Sequence, residues 1–521
     1  MSESDKQIHL LSGMRDVMPD EYELRQRVWK TISTTFEKFG YRGVEVPTIE
    51  LMELHLRKSG ESIRQHMYFF NDQGQNDLCL RPELTASVVR MYNEGLQNEL
   101  LPLKLYYVGS AFRHDRPQIG RYREFTQAGI ELIGGKTPEF DAEVIALACH
   151  VMDALGISDY KVVIGNIGIV LELLSQKKIE ERAKNYIVEK LETFSKIEAS
   201  SKEDTIQKWQ QDMKAGLEKI GISLDEPSQE KMALLDIVKR LPEDDITTVV
   251  AWVLQTIYGM TEQKRSSKEI AKNLIAKIMR GEQVESIMKT LEFISRLMSI
   301  DESRPEEVLR KADTLIQEYN LDAKPIDELR QIACYLETYG IDWNKVRIDF
   351  GFGRGLEYYT GMIFEIYVDT NKLGASQKQV CGGGRYDTLI ADLGSSRPVP
   401  ALGFSFGLER LALCMSEVDT DILRLDAFVA PIGKEEAFQA ALKSAALLRS
   451  HGLRVDMGLK GMSPRALAGM SKRLKARYTV FIGENELRDE NVTLRDMQTG
   501  NEEKCSLNKA VEIIKKNGVI T

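Results

Sequence analysis

The chain has 521 residues, of which 43% are hydrophobic and 29% are charged, and its formal net charge is −9. This length predicts three or four domains of roughly 100–200 residues each, and the composition excludes a disordered or fibrous chain. No run of residues approaches the roughly 20 apolar positions that span a bilayer. The acidic N-terminal segment also lacks the features of a secretory or transit signal. We therefore expect a cytoplasmic protein that has no membrane segment.

Cysteine and histidine residues are dispersed along the chain. Six of each occur, without a CxxC pair or an HExxH motif. This spacing argues against a zinc ribbon and against a disulfide framework, so we predict no metal site. The charge is uneven, because residues 421–521 contain 17 Lys and Arg against 13 Asp and Glu, a net charge of +4 on an otherwise acidic chain. A basic C-terminal region suits RNA binding or an ordinary solvated surface, and the pattern alone leaves both open.

The first part of the chain predicts helices around a mostly antiparallel sheet. Apolar residues at helical spacing predict a helix over residues 20–40, and residues 41–47 predict a short strand that ends at a proline. One further helix is predicted around residues 86–92. Three further strands are predicted at residues 78–80, 105–108 and 124–133. Long irregular loops rather than regular βαβ units separate the strands, which favours the α+β class.

The segments after residue 167 differ from the first part in amino-acid composition and in predicted secondary structure. From residue 168 to about 335, Lys, Glu, Leu and Ile dominate helical runs such as 179–197 and 266–279. Strand-like sequence returns at 346–368 and continues to about residue 410, and alternating strands and helices after residue 425 predict a small doubly wound α/β domain. We therefore predict four parts: a first core segment (1–167), a helical insertion (168–338), a second core segment (339–418) and a C-terminal α/β domain (425–521).

A hairpin rich in arginine is the most informative segment. Residues 111–127 place four arginines around a Pro-Gln-Ile-Gly turn, namely Arg113, Arg116, Arg121 and Arg123. Guanidinium groups bind phosphate in a bidentate manner. The second strand then carries Gln127, Gly129 and Glu131 on one face, where the glycine leaves room for a ligand on the sheet. Surface salt-bridge ladders have the same composition, so the hairpin by itself leaves both interpretations open.

Three glycine-rich segments strengthen the functional interpretation. They are residues 351–361, 381–387 and 403–410. Glycine within a strand often marks the close approach of a ligand. None of the three has the spacing of a Rossmann fingerprint or a P-loop, so a phosphate bound here would be held by arginines on a sheet.

The arginine-rich hairpin and the third glycine-rich segment together resemble parts of a known class of enzymes. FRHDRPQIGRYREFTQ (112–127) and GFSFGLER (403–410) resemble motifs 2 and 3 of class II aminoacyl-tRNA synthetases, and YRGVEVP (41–47) resembles motif 1, which lies at the dimer interface in that class. Four shorter segments resemble signatures of the histidyl-tRNA synthetase family: GMRDVMP (13–19), LRPELT (80–85), RGLEYY (354–359) and GGGRYD (382–387). The resemblance covers about 1–165 and 340–415, and more loosely 425–510.

This resemblance implies a fold and a reaction. The fold is a class II synthetase-like antiparallel sheet flanked by helices, with a helical insertion and a C-terminal α/β anticodon-binding domain. The reaction activates histidine with ATP and magnesium to histidyl-adenylate and transfers it to the 3′ end of tRNA(His). The family implies a homodimer, without a bound prosthetic group.

The resemblance also implies roles for individual residues. Arg113 and Arg354 would be catalytic. The ATP-binding residues would be Arg113, Arg121 and Arg410. The histidine-binding residues would be Glu83, Thr85, Gln127, Glu131, Arg354, Tyr358, Tyr359 and Tyr386. The chain departs from the family at Glu357, where Asp is usual, and at Asp115, where Glu is frequent; both substitutions keep the charge.

Two alternatives remain open at this point. The regulatory subunit of ATP phosphoribosyltransferase resembles the same catalytic core and would bind histidine without loading it. That paralogue generally lacks the C-terminal domain and loses the ATP-binding arginines, whereas Arg113, Arg354 and Arg410 are all present here. The second alternative is an RNA-binding or stress-sensing module, which would leave an intact ATP site without a purpose.

Overall fold

A computed structural model describes most of the chain. The described residues are 8–177, 179–194, 201–220, 222, 224, 242–256, 267–302, 304–351, 358–373, 378–415 and 425–517. The chain divides into two compact units, Met1–Met415 and Ser416–Thr521.

The first unit is built on an eight-stranded sheet and a small three-stranded sheet. The strands are β1 (Arg42–Gly43), β2 (Ile49–Leu51), β3 (Tyr68–Asn71), β4 (Asp77–Leu80), β5 (Leu103–Phe112), β6 (Glu124–Ile133), β7 (Tyr160–Asn166), β8 (Val346–Ile348), β9 (Met362–Val368), β10 (Gln379–Arg385) and β11 (Ala401–Gly407). The large sheet has the order β1-β5-β6-β11-β10-β9-β7-β8, and the small one has the order β2-β4-β3. Only the outermost pairs of the large sheet, β1 with β5 and β7 with β8, are parallel. The prediction of a mostly antiparallel sheet is confirmed.

Helices cover this sheet and form the segment between β7 and β8. They are α1 (Pro19–Lys38), α2 (Met52–Ser59), α3 (Thr85–Met91), α4 (Pro138–Ala154), α5 (Gly168–Gln176), α6 (Glu181–Phe194), α7 (Lys202–Lys219), α8 (Glu243–Thr256), α9 (Ser267–Ser299), α10 (Pro305–Glu318), α11 (Lys324–Thr338), α12 (Leu389–Asp392) and α13 (Leu408–Met415). In α1, Val28, Ile32 and Phe36 recur every fourth residue and are fully buried. The helix predicted over 20–40 is thereby confirmed. Among the described helices, none combines the length and apolar character required to cross a membrane.

Strand β1 is shorter than the strand predicted over 41–47. The backbone N–H of Val44 still bonds to Tyr106, but pairing stops there. The guanidinium of Arg81 donates instead to the carbonyl oxygens of Val46 and Pro47. The side chain of Arg81, which directly follows β4, is therefore the hydrogen-bond donor to these two carbonyl groups in place of a neighbouring strand.

Helix α9 is longer than the helix predicted over 266–279. It continues through Gly281 to Ser299, a length of 33 residues. One glycine inside a helix costs only about 1 kcal/mol relative to alanine. That cost is too small to end a helix whose later turns bury Ile287, Leu291 and Ile294.

The second unit is a small α/β structure. Its strands are β12 (Leu425–Pro431), β13 (Val455–Met457), β14 (Ala476–Ile482), β15 (Val492–Asp496) and β16 (Glu502–Cys505), and its helices are α14 (Glu435–Ser450), α15 (Pro464–Arg473), α16 (Glu484–Arg488) and α17 (Leu507–Asn517). Strands β13, β12 and β14 are parallel, as a doubly wound domain requires. Strands β15 and β16 add an antiparallel hairpin that the sequence analysis leaves unassigned.

Candidate active site

The candidate site lies on the face of the large sheet opposite to α1. Along β6, Ala128, Ile130 and Leu132 point into the main core. The alternate residues Gln127 and Glu131 point to the other face, as the predicted alternation requires. Seven of the residues assigned to the histidine site are near this face: Glu83, Thr85, Gln127, Glu131, Tyr358, Tyr359 and Tyr386.

Glu131 is the carboxyl group at the base of this face. It is 1% exposed, and it accepts hydrogen bonds from the Tyr107 hydroxyl at 3.1 Å and from the Tyr386 hydroxyl. Burial raises the pKa of Glu131 to about 7, although the hydrogen bond from Tyr386 and the charge of Lys58 oppose the rise. Glu131 can therefore exchange a proton near neutral pH.

Two glycines make room for protein groups around Glu131. A Cβ atom at Gly403, which pairs with Glu131 across the sheet, would overlap the Glu131 carboxylate. A Cβ atom at Gly129 would lie 2.6 Å from the Tyr107 hydroxyl oxygen. The space that the sequence analysis reserves for a ligand above Gly129 is thus occupied by Tyr107, and the glycine brings a hydrogen-bond donor to Glu131.

Glu83 forms a second, largely enclosed carboxyl centre at the start of α3, with a side chain that is 12% exposed. It accepts the backbone N–H groups of Thr85 at 2.7 Å and Ala86 at 3.1 Å. Lys58 Nζ lies 2.9 Å from its Oε2 atom, and His55 Nδ1 lies 3.4 Å from its Oε1 atom. Burial would raise the pKa of Glu83, but Lys58 and His55 hold it well below its usual range. Glu83 is therefore an ionised acceptor.

Gln127 connects the start of α3 to strand β11. Its Oε1 atom accepts the backbone N–H of Leu84 at 3.2 Å, and its Nε2 atom donates to Ser405 Oγ at 3.4 Å. Thr85 also lies close enough to Glu131 to lower the pKa of its carboxyl group, against the larger effect of burial. The start of α3 and the face of β6 consequently act as one polar surface.

Aromatic rings line the same region. The Tyr358 and Tyr359 rings lie 4.3 Å apart, and the Tyr358 and Tyr386 rings lie 6.2 Å apart. A Cβ atom at Gly384 would lie 3.0 Å from Cδ1 of Tyr359. The glycine run of β10 therefore gives space to a tyrosine, while Tyr386 places its hydroxyl on the buried carboxyl centre.

The arginines of the hairpin and of α13 lie beside this surface. Arg113 Nε donates to the Pro82 carbonyl oxygen at 2.8 Å, and its guanidinium lies 5.3 Å from the Phe125 ring centroid. Arg410 Nε donates to Gly120 in the hairpin turn at 3.0 Å, and its Nη1 atom donates to Gln379 at 2.7 Å. Arg113 thus links the hairpin to the segment before α3, and Arg410 links α13 to the hairpin turn and to β10.

Other predicted residues are farther out or cannot be placed. Arg121 is 46% exposed and donates to Asp115 at 3.1 Å. The same carboxylate lies 2.8 Å from His66 Nδ1. Arg354 and Glu357 are outside the described residues, so their predicted positions stay predictions. Within the described part of the chain, no group of three or more His, Cys, Asp or Glu residues could hold a metal ion.

Sequence reasoning missed three residues of the site: His55, Lys58 and Tyr107. The side chains of His55 and Lys58 are 1% and 3% exposed. The spacing of these residues could have indicated their burial, because His55 and Lys58 follow Met52 at intervals of three and share its buried helix face. Tyr107 gave a similar signal, since it lies on β5 two residues from Leu105, which is also buried.

A buried ion pair supports the tyrosine that binds Glu131. Arg385 precedes Tyr386 and pairs with Asp141 at 2.7 Å, with side chains 8% and 6% exposed. Replacing Asp141 with Asn should therefore lower the free energy of unfolding by about 3–5 kcal/mol, because it removes the buried counter-charge of a buried guanidinium. Chemical denaturation of the purified variant measures this loss.

Asp387 provides the matched control for that measurement. It contacts the same guanidinium at 3.2 Å, but its side chain is 43% exposed. Asp387→Asn should cost no more than about 1 kcal/mol. Equal losses in the two variants would contradict the assigned role of burial.

Known proteins resemble this chain over almost its whole length. A family model described as histidyl-tRNA synthetase matches residues 13–263 and 199–411, and one described as anticodon binding domain matches 426–517. The histidine–tRNA ligase of Thermococcus kodakarensis is 32% identical over 512 residues, which is 97% of each chain. That of Methanocaldococcus jannaschii is 31% identical over 489 residues, which is 94% of this chain and 95% of its own.

Solved structures show the same fold. A histidyl-tRNA synthetase from Nostoc superposes with a TM-score of 0.68 at 19% identity, covering 98% of this chain and 99% of that one. The apo enzyme of S. aureus gives 0.62 at 23% identity, covering 98% and 100%. A Bacillus halodurans structure described as ATP phosphoribosyltransferase regulatory subunit/histidyl-tRNA synthetase gives 0.59 at 22% identity, covering 90% and 97%.

The antiparallel sheet, its arginine hairpin and the arginine of α13 together define a class II aminoacyl-tRNA synthetase. Within that class, the family model matches residues 13–263 and 199–411, and relatives above 30% identity match nearly the full length. The chain belongs to the histidyl-tRNA synthetase family. The predictions of this family, of the fold class and of a histidine–tRNA ligase are confirmed.

Proposed function

We propose that this site joins histidine to ATP, forming histidyl-adenylate and pyrophosphate, and then transfers the histidyl group to the 3′ end of tRNA(His). The observation that carries the proposal is the hydrogen bond from Arg113 Nε to the Pro82 carbonyl oxygen. It holds a phosphate-binding side chain directly beside Glu83, the ionised acceptor for an amino group. The reacting groups of the two substrates can therefore meet at this point.

Two sets of side chains bind histidine in this proposal. The α-ammonium group is bound by Glu83, Thr85 and Gln127. The imidazole ring is bound by Glu131, Tyr358, Tyr359 and Tyr386. Glu131 suits an imidazole because its carboxylate accepts a ring N–H, and a ring nitrogen can in turn share the proton of the carboxyl group.

Adenylation needs charge stabilisation more than proton transfer. An oxygen of the histidine carboxylate attacks the α-phosphorus, and the bond from that phosphorus to the pyrophosphate oxygen breaks. Arg113 and Arg354 stabilise the negative charge on the α-phosphate oxygens. Arg410 binds the γ-phosphate, and Arg121 is a further phosphate ligand. Magnesium arrives with ATP as part of the substrate and neutralises charge on the departing pyrophosphate.

The transfer step takes place at the carbonyl carbon of the activated histidine. A hydroxyl of the terminal ribose of tRNA(His) attacks the carbonyl carbon of the adenylate, and AMP leaves.

The catalytic segments are 1–167 and 339–418, with 168–338 as the insertion and 425–521 as the anticodon-binding domain. The net charge of +4 over residues 421–521 favours contact with RNA phosphates. We place the enzyme in the cytoplasm.

The proposed enzyme is a homodimer. The three-stranded sheet exposes Ile49, Leu51 and Phe70 to 49%, 54% and 40%, and its register places the three side chains on one face. Exposed apolar side chains in one patch are typical of a protein–protein contact. A second copy of the chain would cover them.

Pyrophosphate exchange is the direct test of this function. Purified protein with magnesium and ATP should exchange labelled pyrophosphate into ATP with histidine and with no other of the twenty amino acids. Exchange without selectivity would contradict the assigned ring pocket. Histidine binding without any exchange would support the regulatory paralogue instead.

A further inference from the structure

Lys58 is an unusual residue for the middle of a polar pocket. Its side chain is 3% exposed, and its ammonium group lies 2.9 Å from Glu83 Oε2. The same nitrogen lies 4.2 Å from the ring centroid of Tyr358, a wall of the histidine pocket. A buried lysine of this kind requires a counter-charge and aromatic contacts to remain protonated.

The acceptor capacity of Glu83 is already used in this arrangement. A carboxylate offers about four lone-pair directions. Two are taken by the backbone N–H groups of Thr85 and Ala86, and the others face Lys58 and His55. A substrate ammonium group can bind Glu83 only if one of these donors leaves.

Lys58 is the donor that can leave. The backbone N–H groups are fixed by the start of α3. His55 and Lys58 share the buried face of α2, but the imidazole of His55 is a rigid ring joined to the backbone by a single methylene group. Lys58 reaches Glu83 through a flexible four-carbon chain, so it can withdraw at the smallest structural cost. Its ammonium group is also the same chemical group as the one that replaces it.

We propose that Lys58 competes with the substrate for Glu83: its ammonium group occupies Glu83 in the empty site and must give way to the α-ammonium group of histidine. This inference rests on the proposed function, because it assumes that Glu83 binds the amino group of the substrate. Any amino acid has to break the Lys58–Glu83 pair. That cost is common to all amino acids, so it lowers the affinity for each of them by the same factor and leaves the choice between amino acids to the ring pocket at Glu131.

The test compares two ligands that differ only in the amino group, L-histidine and 3-(imidazol-4-yl)propionate. Their dissociation constants are measured by calorimetry at about pH 8, where carboxylates are ionised. Lys58→Met and Lys58→Gln should bind histidine about tenfold more tightly than wild type, because the competing ammonium is gone. Binding of imidazolylpropionate should stay the same or weaken, since this ligand does not displace Lys58.

A charged replacement gives an independent arm of the test. Lys58→Arg keeps the positive charge and can pair with Glu83 in a bidentate manner, so it is harder to displace. Histidine binding should weaken several-fold in this variant, without a matching change for imidazolylpropionate. Arg57→Met is the matched control, because Arg57 is the adjacent cation on α2 but is 53% exposed and pairs with Glu53; it should leave both dissociation constants unchanged.

The contrary results are equally specific. Weaker histidine binding in the neutral variants would show that Lys58 contributes a binding contact, and the proposal would be overturned. Equal changes for both ligands would overturn it as well. Wild-type protein that exchanges pyrophosphate with histidine, while the neutral variants show no gain in affinity, would refute the role of Lys58 and leave the proposed function intact. Wild-type protein without exchange would refute both.

Discussion

Replacing Arg113 with alanine should lower histidine-dependent pyrophosphate exchange by about a thousandfold or more, because the α-phosphate loses a fixed positive charge in the transition state. Arg113→Lys should retain some activity, since a lysine offers one point charge without the planar fork of a guanidinium. Steady-state exchange rates at saturating ATP and histidine measure the effect on kcat.

Histidine affinity separates the charge of Arg113 from a supporting role. Arg113 also donates to Pro82, next to Glu83, so its removal could displace the amino-group acceptor. The charge role predicts that the dissociation constant of histidine changes much less than kcat. Arg330→Gln is the control, because Arg330 of α11 is 49% exposed and forms ion pairs only with Asp313 and Asp327 among the described residues; it should leave exchange unchanged. Equal losses of affinity and rate in Arg113→Ala would contradict the catalytic assignment.

Much of the site could be predicted because strand alternation is a local property. The spacing of Gln127, Gly129 and Glu131 fixes their common face once β6 is recognised, and the structure places Gln127 and Glu131 on that face. The family motifs then assigned roles that spacing alone could not. Composition and alternation also sufficed for the antiparallel sheet.

The remaining features depend on contacts between distant segments. Strand β1 is short because Arg81 takes the carbonyl groups of Val46 and Pro47, and nothing within residues 41–47 encodes that contact. Tyr107 fills the space above Gly129 from the neighbouring strand.

The burial of Lys58 likewise depends on a contact with a distant segment and could not be predicted from the local sequence. A helical lysine is normally solvated, so its burial is understandable only after Glu83 is placed beside it. A prediction from composition weighs each residue type by its usual environment. Functional sites are where a residue departs from that environment.

Glu131→Gln should lower kcat/KM for histidine activation by about a hundredfold or more, because a buried partner of the imidazole ring is replaced by an amide that cannot carry charge. The Gln side chain keeps the size of the Glu side chain, so Tyr107 and Tyr386 retain a neighbour. Exchange rates as a function of histidine concentration measure the loss. An unchanged kcat/KM would remove Glu131 from the ring pocket.

The same substitution should stabilise the protein in alkaline solution. Burial raises the pKa of Glu131 from an ordinary value of 4.5 to about 7. The folded state therefore binds more protons than the unfolded state between these pH values, and stability falls as pH rises through this window. At about pH 8 the ionised carboxylate destabilises the fold by at most about 3 kcal/mol, which Gln avoids. The apparent melting temperature of Glu131→Gln should exceed that of wild type by a few degrees at pH 8 and match it near pH 5.

Glu124 provides the control at the other end of β6. Its side chain is exposed, so Glu124→Gln removes the same charge without relieving burial. Melting temperatures of this variant should follow those of wild type at both pH values. A destabilised Glu131→Gln protein at pH 8 would mean that the ionised carboxylate is stabilised by Lys58 and the tyrosines more than burial penalises it. A gain in stability together with a loss of histidine activation would instead show that the fold keeps a costly buried carboxyl group because recognition of the substrate requires it.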